Sequence, residues 1–197
     1  MPIDRYYTQS KVKPQLLFLS NLIESKGVFV LLEALKILID KGVEFECSFV
    51  GGEGDIDIPS FEDKVKKLKL LNKVKYLGKK YNEDKNLIFR NTDIFCFPTA
   101  YPNECFPLVL LEAMQFSLPI VTTNEGGISE IVKDNFNGFI VGKNNSIELA
   151  EKIEILINDS MKRELMGERS LELYKEKFKL DIFESRIVDI FNDILSP

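Results

Sequence analysis

The chain has 197 residues, enough to bury the core of one large domain. The apolar and charged fractions, 45% and 29%, are those of an ordinary globular protein, and the net charge of -5 argues against a nucleic-acid-binding surface. The sequence has no histidine, the commonest general base and a frequent metal ligand, and no apolar run long enough to span a bilayer, so we expect no metal, no cofactor and no membrane span.

The three cysteines indicate a reducing compartment. Cys47 and Cys96 lie in apolar runs typical of buried strands, so we expect reduced thiols in a cytoplasmic protein. Cys105 lies in a polar loop, but without any histidine there is no Cys–His pair that would activate it as a nucleophile.

Along the chain, residues 1–14 are polar and without periodicity, and we interpret them as a linker or lead-in to one domain over 15–197. Apolar runs predict strands at 16–19, 45–50, 73–77, 93–97, 118–122 and 138–141. Helical spacing predicts helices at 28–40, 60–71 and 82–91, one opening at Pro107, and a short one after the glycine turn 124–130. The C-terminal segment is predicted to be entirely helical, with Ser146 capping 147–158, followed by 160–177 and 180–195.

This alternation predicts an α/β fold: a Rossmann-like parallel sheet of about six strands flanked by helices, with a helical C-terminal segment. In such sheets ligands bind beyond the carboxyl ends of the strands. The loops expected there are also the stretches richest in Gly, Pro, Asn and charge: 20–27, 51–55, 78–82, 99–106 and 123–127. We therefore expect one polar site built from five loops.

The stretch from Glu104 to Glu112 is the strongest local signal. Pro107 is tolerated at the first position of a helix, and the free N–H groups of that helix would form an anion site. With Glu112 six residues into the helix, it would lie roughly 9 Å from the helix start, comparable to the length of a sugar diphosphate. The alternative is an acidic residue before a helix and an exposed glutamate on its face.

Two neighbouring signals are weaker. The glycine turn at 51–54 does not have dinucleotide-binding spacing, because Asp57 stands where a third glycine is required. Lys26, after the first strand, either neutralises a phosphate or is a solvated lysine at a helix start.

Taken together, these stretches resemble the retaining, GT-B-type nucleotide-sugar glycosyltransferases of the "group 1" family. Glu104-Cys-Phe-Pro-Leu-Val-Leu-Leu-Glu112 resembles the family's Glu–seven residues–Glu motif. Four further stretches agree in order and spacing: Phe18 to Gly27, Phe49 to Gly54, Val74 to Gly78 and Asn124 to Glu130. The resemblance covers the chain from about Gln15 to Phe191.

The resemblance implies one half of a GT-B fold, the C-terminal domain that binds a nucleotide-diphosphate sugar. The N-terminal acceptor-binding domain would be missing, and the chain would be shortened or begin in mid-protein. Membrane association at the inner face would come only through that missing domain.

The resemblance also assigns roles residue by residue. Glu104 and Lys26 would be the catalytic residues, with Glu104 on the donor sugar's hydroxyls and Lys26 on the diphosphate. Glu112 would bind the ribose hydroxyls. Gly78 and Lys79 lie where the base is usually held. The backbone N–H groups that would meet the phosphates are those of Cys105, Phe106 and Leu108.

Two departures from the family pattern stand out. Asn21, which we expect among the donor-binding residues, occupies a position where the family commonly has arginine, and Pro107 occupies one where it commonly has glycine. Loss of the arginine would weaken diphosphate binding, while proline remains compatible with a helix start. The implied mechanism is a metal-free, front-face transfer with retention, in which the diphosphate takes the acceptor proton.

We therefore expect the donor half of a hexosyltransferase-type glycosyltransferase acting in cell-surface or capsular polysaccharide synthesis. The alternative is a stand-alone nucleotide-sugar-binding or interaction module without catalysis. Exposure of Phe183, Ile187 or Phe191 on the last helix would favour the first, and complete burial the second. A sugar-nucleotide epimerase of similar fold is disfavoured by the pair of glutamates.

Overall fold

Six short apolar runs form one parallel sheet in the computed structural model, which describes residues 13–195. The strands are Gln15–Leu19 (β1), Glu46–Val50 (β2), Val74–Tyr76 (β3), Ile94–Phe97 (β4), Ile120–Thr123 (β5) and Gly138–Val141 (β6). Their order across the sheet is β3-β2-β1-β4-β5-β6, the order typical of dinucleotide-binding doubly wound folds. The predicted α/β class and the parallel six-stranded sheet are confirmed. The predicted lead-in at 1–14 lies, apart from Lys13 and Pro14, outside the described residues.

Helices follow most strands and cover both faces of the sheet. They are Val28–Asp40 (α1), Ile58–Lys67 (α2), Asn82–Arg90 (α3), Leu108–Gln115 (α4), Ile128–Ile131 (α5), Ser146–Asn158 (α6), Ser160–Leu173 (α7) and Leu180–Leu195 (α8). Right-handed crossovers that run in opposite directions from the centre of the sheet place α1 and α4 on opposite faces. The C-terminal helices add to these layers, since α6 packs on α1 and α7 on α4.

Phenylalanine rings fill the space between the sheet and its helices. On one side Phe49 lies 5.2 Å from Phe18 and 5.0 Å from Phe61, measured between ring centroids. On the other, Phe89 stacks on Phe116 at 5.1 Å. All five side chains are at most 7% exposed. Because both faces of the central strands are buried, their sequences read as continuous apolar runs.

Several predicted boundaries were wrong for identifiable reasons. Helix α2 begins at Ile58, before the predicted residue 60, because the Asp57 carboxylate accepts the Ser60 N–H at 2.8 Å and so caps the helix. It also ends earlier, at Lys67, and Lys69 has a left-handed φ of 60°.

The helix start after Pro107 also differs. Pro107 adopts an extended conformation, with φ -72° and ψ 106°, and stands before the helix, which begins at Leu108. Glu112 is therefore the fifth helical residue, and its rise from the helix start is about 6 Å, less than the predicted 9 Å.

In the C-terminal segment, Asn145 caps α6, and the prediction of Ser146 was wrong. The Asn145 side-chain oxygen accepts the Glu148 N–H at 3.1 Å, while Ser146 is already helical. The predicted helix at 160–177 ends at Leu173 and continues as a π-helical turn, Tyr174–Phe178.

Candidate functional site

The strand order reverses between β1 and β4, which pair directly, Leu16 opposite Ile94. At such a switch point the two following helices leave toward opposite faces and open a crevice between their loops. The β1–α1 loop carries Lys26, and the β4–α4 loop carries Glu104. The topology thus brings together the two residues predicted as catalytic.

The two loops contact each other through their backbones. Gly27 has a φ of 86°, and a Cβ at this position would overlap the carbonyl oxygen of Pro98. Two residues before Gly27, the Ser25 carbonyl accepts the Ala100 N–H at 2.7 Å. This close approach holds Lys26 against the β4–α4 loop.

Lys26 and Glu104 form an ion pair in which both side chains are largely removed from solvent. The side chains are 15% and 9% exposed, and the Lys26 Nζ donates to Glu104 Oε2. The ammonium also lies 4.4 Å from the centroid of the Tyr101 ring, in cation–π geometry. The Thr99 hydroxyl lies 3.5 Å from the same carboxylate oxygen. The site therefore contains a preformed charge pair, and contact of either member with a donor stays a prediction.

Glu112 has a partner that sequence reasoning missed. Its Oε1 accepts a hydrogen bond of 2.7 Å from the Nζ of Lys85 on α3, and the two side chains are 25% exposed for Lys85 and 33% for Glu112. No sequence signal pointed to Lys85, because it lies 27 residues from Glu112 on a different helix. The Lys85 ammonium orients one carboxylate oxygen and leaves the other to accept further hydrogen bonds.

Asn21, Gly78 and Lys79 also converge, from loops after β1 and β3. The Asn21 side-chain oxygen accepts the Gly52 N–H at 3.0 Å, and the Gly78 carbonyl accepts the Gly51 N–H at 3.0 Å. The exposed side chain of Lys79 lies against Gly52. Asn21 therefore has a structural role as a cap on the glycine turn.

The Tyr76 side chain secures the same turn. Its hydroxyl donates to the Gly51 carbonyl at 2.8 Å. Burial, and secondarily the negative charge of Glu53, raises the pKa of Tyr76, so the phenol stays protonated and continues to donate.

Cys105, Phe106 and Leu108 are exposed at the start of α4. The Cys105 carbonyl accepts the Gly127 N–H at 2.6 Å, which joins this loop to the β5–α5 loop. The ring of Phe106 lies 6.0 Å from that of Phe178 in the π-helical turn, measured between centroids. The predicted backbone contacts of these three residues with phosphate stay predictions.

Within residues 13–195 no group of three or more His, Cys, Asp or Glu side chains is arranged to hold a metal ion. In the same part of the chain no helix has the length and apolarity needed to cross a bilayer.

Comparisons with known proteins agree with this geometry. The family model of the glycosyl transferases group 1 matches residues 4–172. The chain is similar to a capsular polysaccharide biosynthesis glycosyltransferase, CapM of Staphylococcus aureus, with 29% identity over 181 residues that cover 90% of this chain and 46% of CapM. The chain thus spans about half the length of the full-length relatives that it matches.

Two solved structures show the same architecture. The C-terminal domain of LpcC, a glycosyl transferase group 1 family protein of Francisella tularensis, aligns with a TM-score of 0.74 and 25% identity, covering 85% of this chain and 87% of that domain. Anabaena HepE, solved in complex with UDP-glucose, aligns with a TM-score of 0.82 and 24% identity over 92% of this chain and 49% of HepE, a likeness that shows the fold. The predicted resemblance to a C-terminal GT-B domain is confirmed, and the chain belongs to the glycosyl transferases group 1 family.

Proposed function

We propose that this chain is the donor-binding half of a glycosyltransferase, which transfers a sugar from a nucleotide-diphosphate sugar to a glycan or lipid-linked acceptor with retention. The observation that carries the proposal is the Lys26–Glu104 pair at the switch point of the sheet, in a chain of this family. Support also comes from HepE, a protein of the same fold that binds UDP-glucose.

In the proposed complex, the diphosphate lies at the start of α4 and against Lys26. A lysine ammonium has three donor hydrogens, so Lys26 can bond to a phosphate oxygen without leaving Glu104. Cleavage of the sugar–phosphate bond leaves negative charge on the diphosphate. Lys26 and the N–H groups at the helix start stabilise that charge. No metal ion is required, because the lysine and the helix supply the positive field.

The two glutamates bind hydroxyl groups at the two ends of the donor. Glu104 accepts from the transferred sugar and Glu112 from the ribose, through the oxygen that Lys85 leaves available. A carboxylate that accepts from two hydroxyls gains charge-assisted hydrogen bonds, stronger than those of a neutral acceptor.

The exposed face of α8 favours a half-enzyme over an autonomous module. Phe183, Ile187 and Phe191 are 57%, 37% and 59% exposed. Apolar side chains repeated along one helix at such exposure are typical of a surface that another domain covers. We propose that the acceptor-binding domain covers it, that acceptor choice and any membrane contact reside there, and that the enzyme works in the cytoplasm, where its three free cysteines stay reduced.

Isothermal titration calorimetry tests the proposal. UDP, GDP and ADP are titrated into the 197-residue chain, followed by the sugar nucleotide of whichever binds. Glu104→Gln should remove the affinity that the sugar adds and leave the nucleoside diphosphate affinity nearly unchanged, whereas Lys26→Met should weaken both.

Glu154→Gln is the control, because Glu154 also forms an ion pair with a lysine, Lys41 at 2.6 Å. That pair is more exposed, and Glu154 lies on α6, away from the switch point. Absence of binding by all three nucleotides at millimolar concentration would contradict the proposal. If the Glu104→Gln and Glu154→Gln variants bind the sugar nucleotide with equal affinity, Glu104 does not contact the sugar.

A further inference from the structure

Lys79 differs from Lys26 and Lys85 in its charge balance. Lys26 is paired with Glu104 and Lys85 with Glu112, so each of these positive charges is offset within the site. Lys79 forms no ion pair with any residue in the described part of the chain. A diphosphate carries at least two negative charges, so an unpaired lysine adds attraction to that of the helix start and of such neutral pairs.

The backbone that carries Lys79 is anchored on the neighbouring loop. The Gly51 N–H donates to the Gly78 carbonyl at 3.0 Å, and the Tyr76 hydroxyl donates to the Gly51 carbonyl at 2.8 Å. The first bond extends the β2–β3 ladder past the strand ends, and the second fixes the glycine turn to β3. Lys79 is therefore held at a defined position, in contrast to a lysine on a free surface loop.

The side chain of Lys79 extends across Gly52 toward the β1–α1 loop. A Cβ at Gly52 would overlap Lys79 Cε and would lie 3.2 Å from Lys79 Nζ and 3.3 Å from the Asn21 side-chain oxygen. The absence of a side chain at this buried glycine thus leaves a path for the lysine. The ammonium and the Asn21 side-chain oxygen thus both lie next to Gly52, and Asn21 belongs to the loop that also carries Lys26.

We propose that Lys79 is a phosphate-binding residue of the donor site, supplying from the β3–α3 loop the cation that Asn21 does not. The proposal rests on the proposed function, since it assigns the side chain that receives the diphosphate of the same donor. The resemblance to the family places the loop that carries Lys79 next to the base. We propose instead that the Lys79 side chain binds the phosphates. The ammonium acts as a point charge on a flexible stem, so it adjusts to the diphosphate once the base and ribose are bound.

The test compares two adjacent lysines in the 197-residue chain. Lys79→Met removes the positive charge next to Gly52. Lys80→Met is the control: it removes the same charge from the next residue, none of whose atoms is among the three nearest to a Cβ at Gly52. The probe is UDP, GDP or ADP, whichever the unsubstituted chain binds most tightly by calorimetry. In about 20 mM NaCl we expect Lys79→Met to weaken nucleotide binding about fivefold. In about 500 mM NaCl the loss of affinity should be within about twofold, because salt screens an exposed charge. Lys80→Met should stay within about twofold of the unsubstituted chain in both salts.

Gly52→Ala provides a second route to the same residue, because the added methyl group displaces Lys79 without removing its charge. It should weaken binding in the unsubstituted chain and have no further effect in the Lys79→Met background, as expected when both changes act through one contact.

Three outcomes decide against the inference. If Lys79→Met binds the nucleotide as tightly as the unsubstituted chain in low salt, or if its loss is the same in both salts, Lys79 does not bind phosphate and the proposed function stands. If the unsubstituted chain binds none of the three nucleotides, the proposed function and the inference both fail.

Discussion

At the scale of single residues, the site is organised by charge pairs that hold each glutamate in place. Lys26 fixes Glu104 and Lys85 fixes Glu112. Removing one partner of a shielded pair costs more free energy than the pair contributes, because the remaining charge stays desolvated. Stability and function therefore respond differently to single and double substitutions at these positions.

Lys26→Met should lower the free energy of unfolding by about 1–3 kcal/mol, because it leaves Glu104, 9% exposed, without its cation. The double variant Lys26→Met, Glu104→Gln should recover most of that loss, since a neutral amide tolerates burial better than a carboxylate. Urea denaturation measures both. Donor binding should stay weak in both variants. Stability that returns without binding would separate the structural role of the pair from its proposed role in the site. If the double variant is as unstable as the single one, the loss of stability in Lys26→Met does not come from the unpaired charge of Glu104.

The three cysteines divide by environment. Burial raises the pKa of the Cys47 and Cys96 thiols, which lie in the central sheet, while Cys105 is exposed in the β4–α4 loop. A thiol reagent attacks the thiolate, so burial and a raised pKa both protect the first two.

Titration of the native chain with a chromogenic disulfide reagent should therefore label Cys105 rapidly and leave Cys47 and Cys96 to react after denaturation. A bound nucleotide should slow the labelling of Cys105 if the phosphates lie at the start of α4. The Cys105→Ser variant serves as the control. Rapid labelling that persists in this variant would mean that the sheet is less closely packed than the structure indicates.

At the scale of elements, helix starts were the features that the sequence predicted least well. Both Asn145 and Ser146 are good capping residues, so their order along the chain does not decide which one caps. The structure decides it, because Asn145 has the non-helical conformation from which its side chain reaches the Glu148 N–H.

Asn145→Ala should consequently lower the free energy of unfolding by about 1 kcal/mol, the usual cost of a lost cap. Ser146→Ala is the matched control and should change it by less than about 0.5 kcal/mol, because Ser146 is a helical residue near the surface. Thermal and urea unfolding measure both. A larger effect of the serine substitution would reverse the assignment of the cap.

At the scale of the whole molecule, the chain combines a closely packed α/β core with one uncovered apolar helix. Core side chains such as Phe61 are almost fully buried, whereas Phe183 and Phe191 on α8 are more than half exposed. The main contact of α8 with the rest of the described chain is through the π-helical turn, Tyr174–Phe178. Phe178 of that turn packs against Phe106, so the turn connects α8 to the residues just before α4.

Substitution of Phe183 and Phe191 by glutamine should reduce the fluorescence of an apolar dye bound to the chain and change the free energy of unfolding by less than about 1 kcal/mol, since little apolar area is buried there. Phe61→Ala, the buried comparison, should cost about 3–5 kcal/mol. A large loss of stability in the α8 variant would show that the isolated chain buries this face, for instance by self-association, which sedimentation would detect.

Local patterns in the sequence determined a good part of this protein. Apolar runs and helical spacing located all six strands and most helices, because a strand buried on both faces and an amphipathic helix each leave a short-range periodic trace. The glutamate pair, Glu104 and Glu112, and each glycine-rich loop likewise form short local patterns in the sequence, and these carry the resemblance to the family.

Only the tertiary structure decided which of these loops meet. The pairing of β1 with β4 brings Lys26 to Glu104 across 78 residues of sequence, and the packing of α3 and α4 brings Lys85 to Glu112. Lys79 and Asn21 both lie against Gly52 because β2 lies between β1 and β3 and its following loop presents a glycine without a side chain. Strand order and side-chain direction depend on long-range packing, which leaves no periodic trace in the sequence. For that reason the sequence could name the residues that we propose for the site, and could not give their charge pairs.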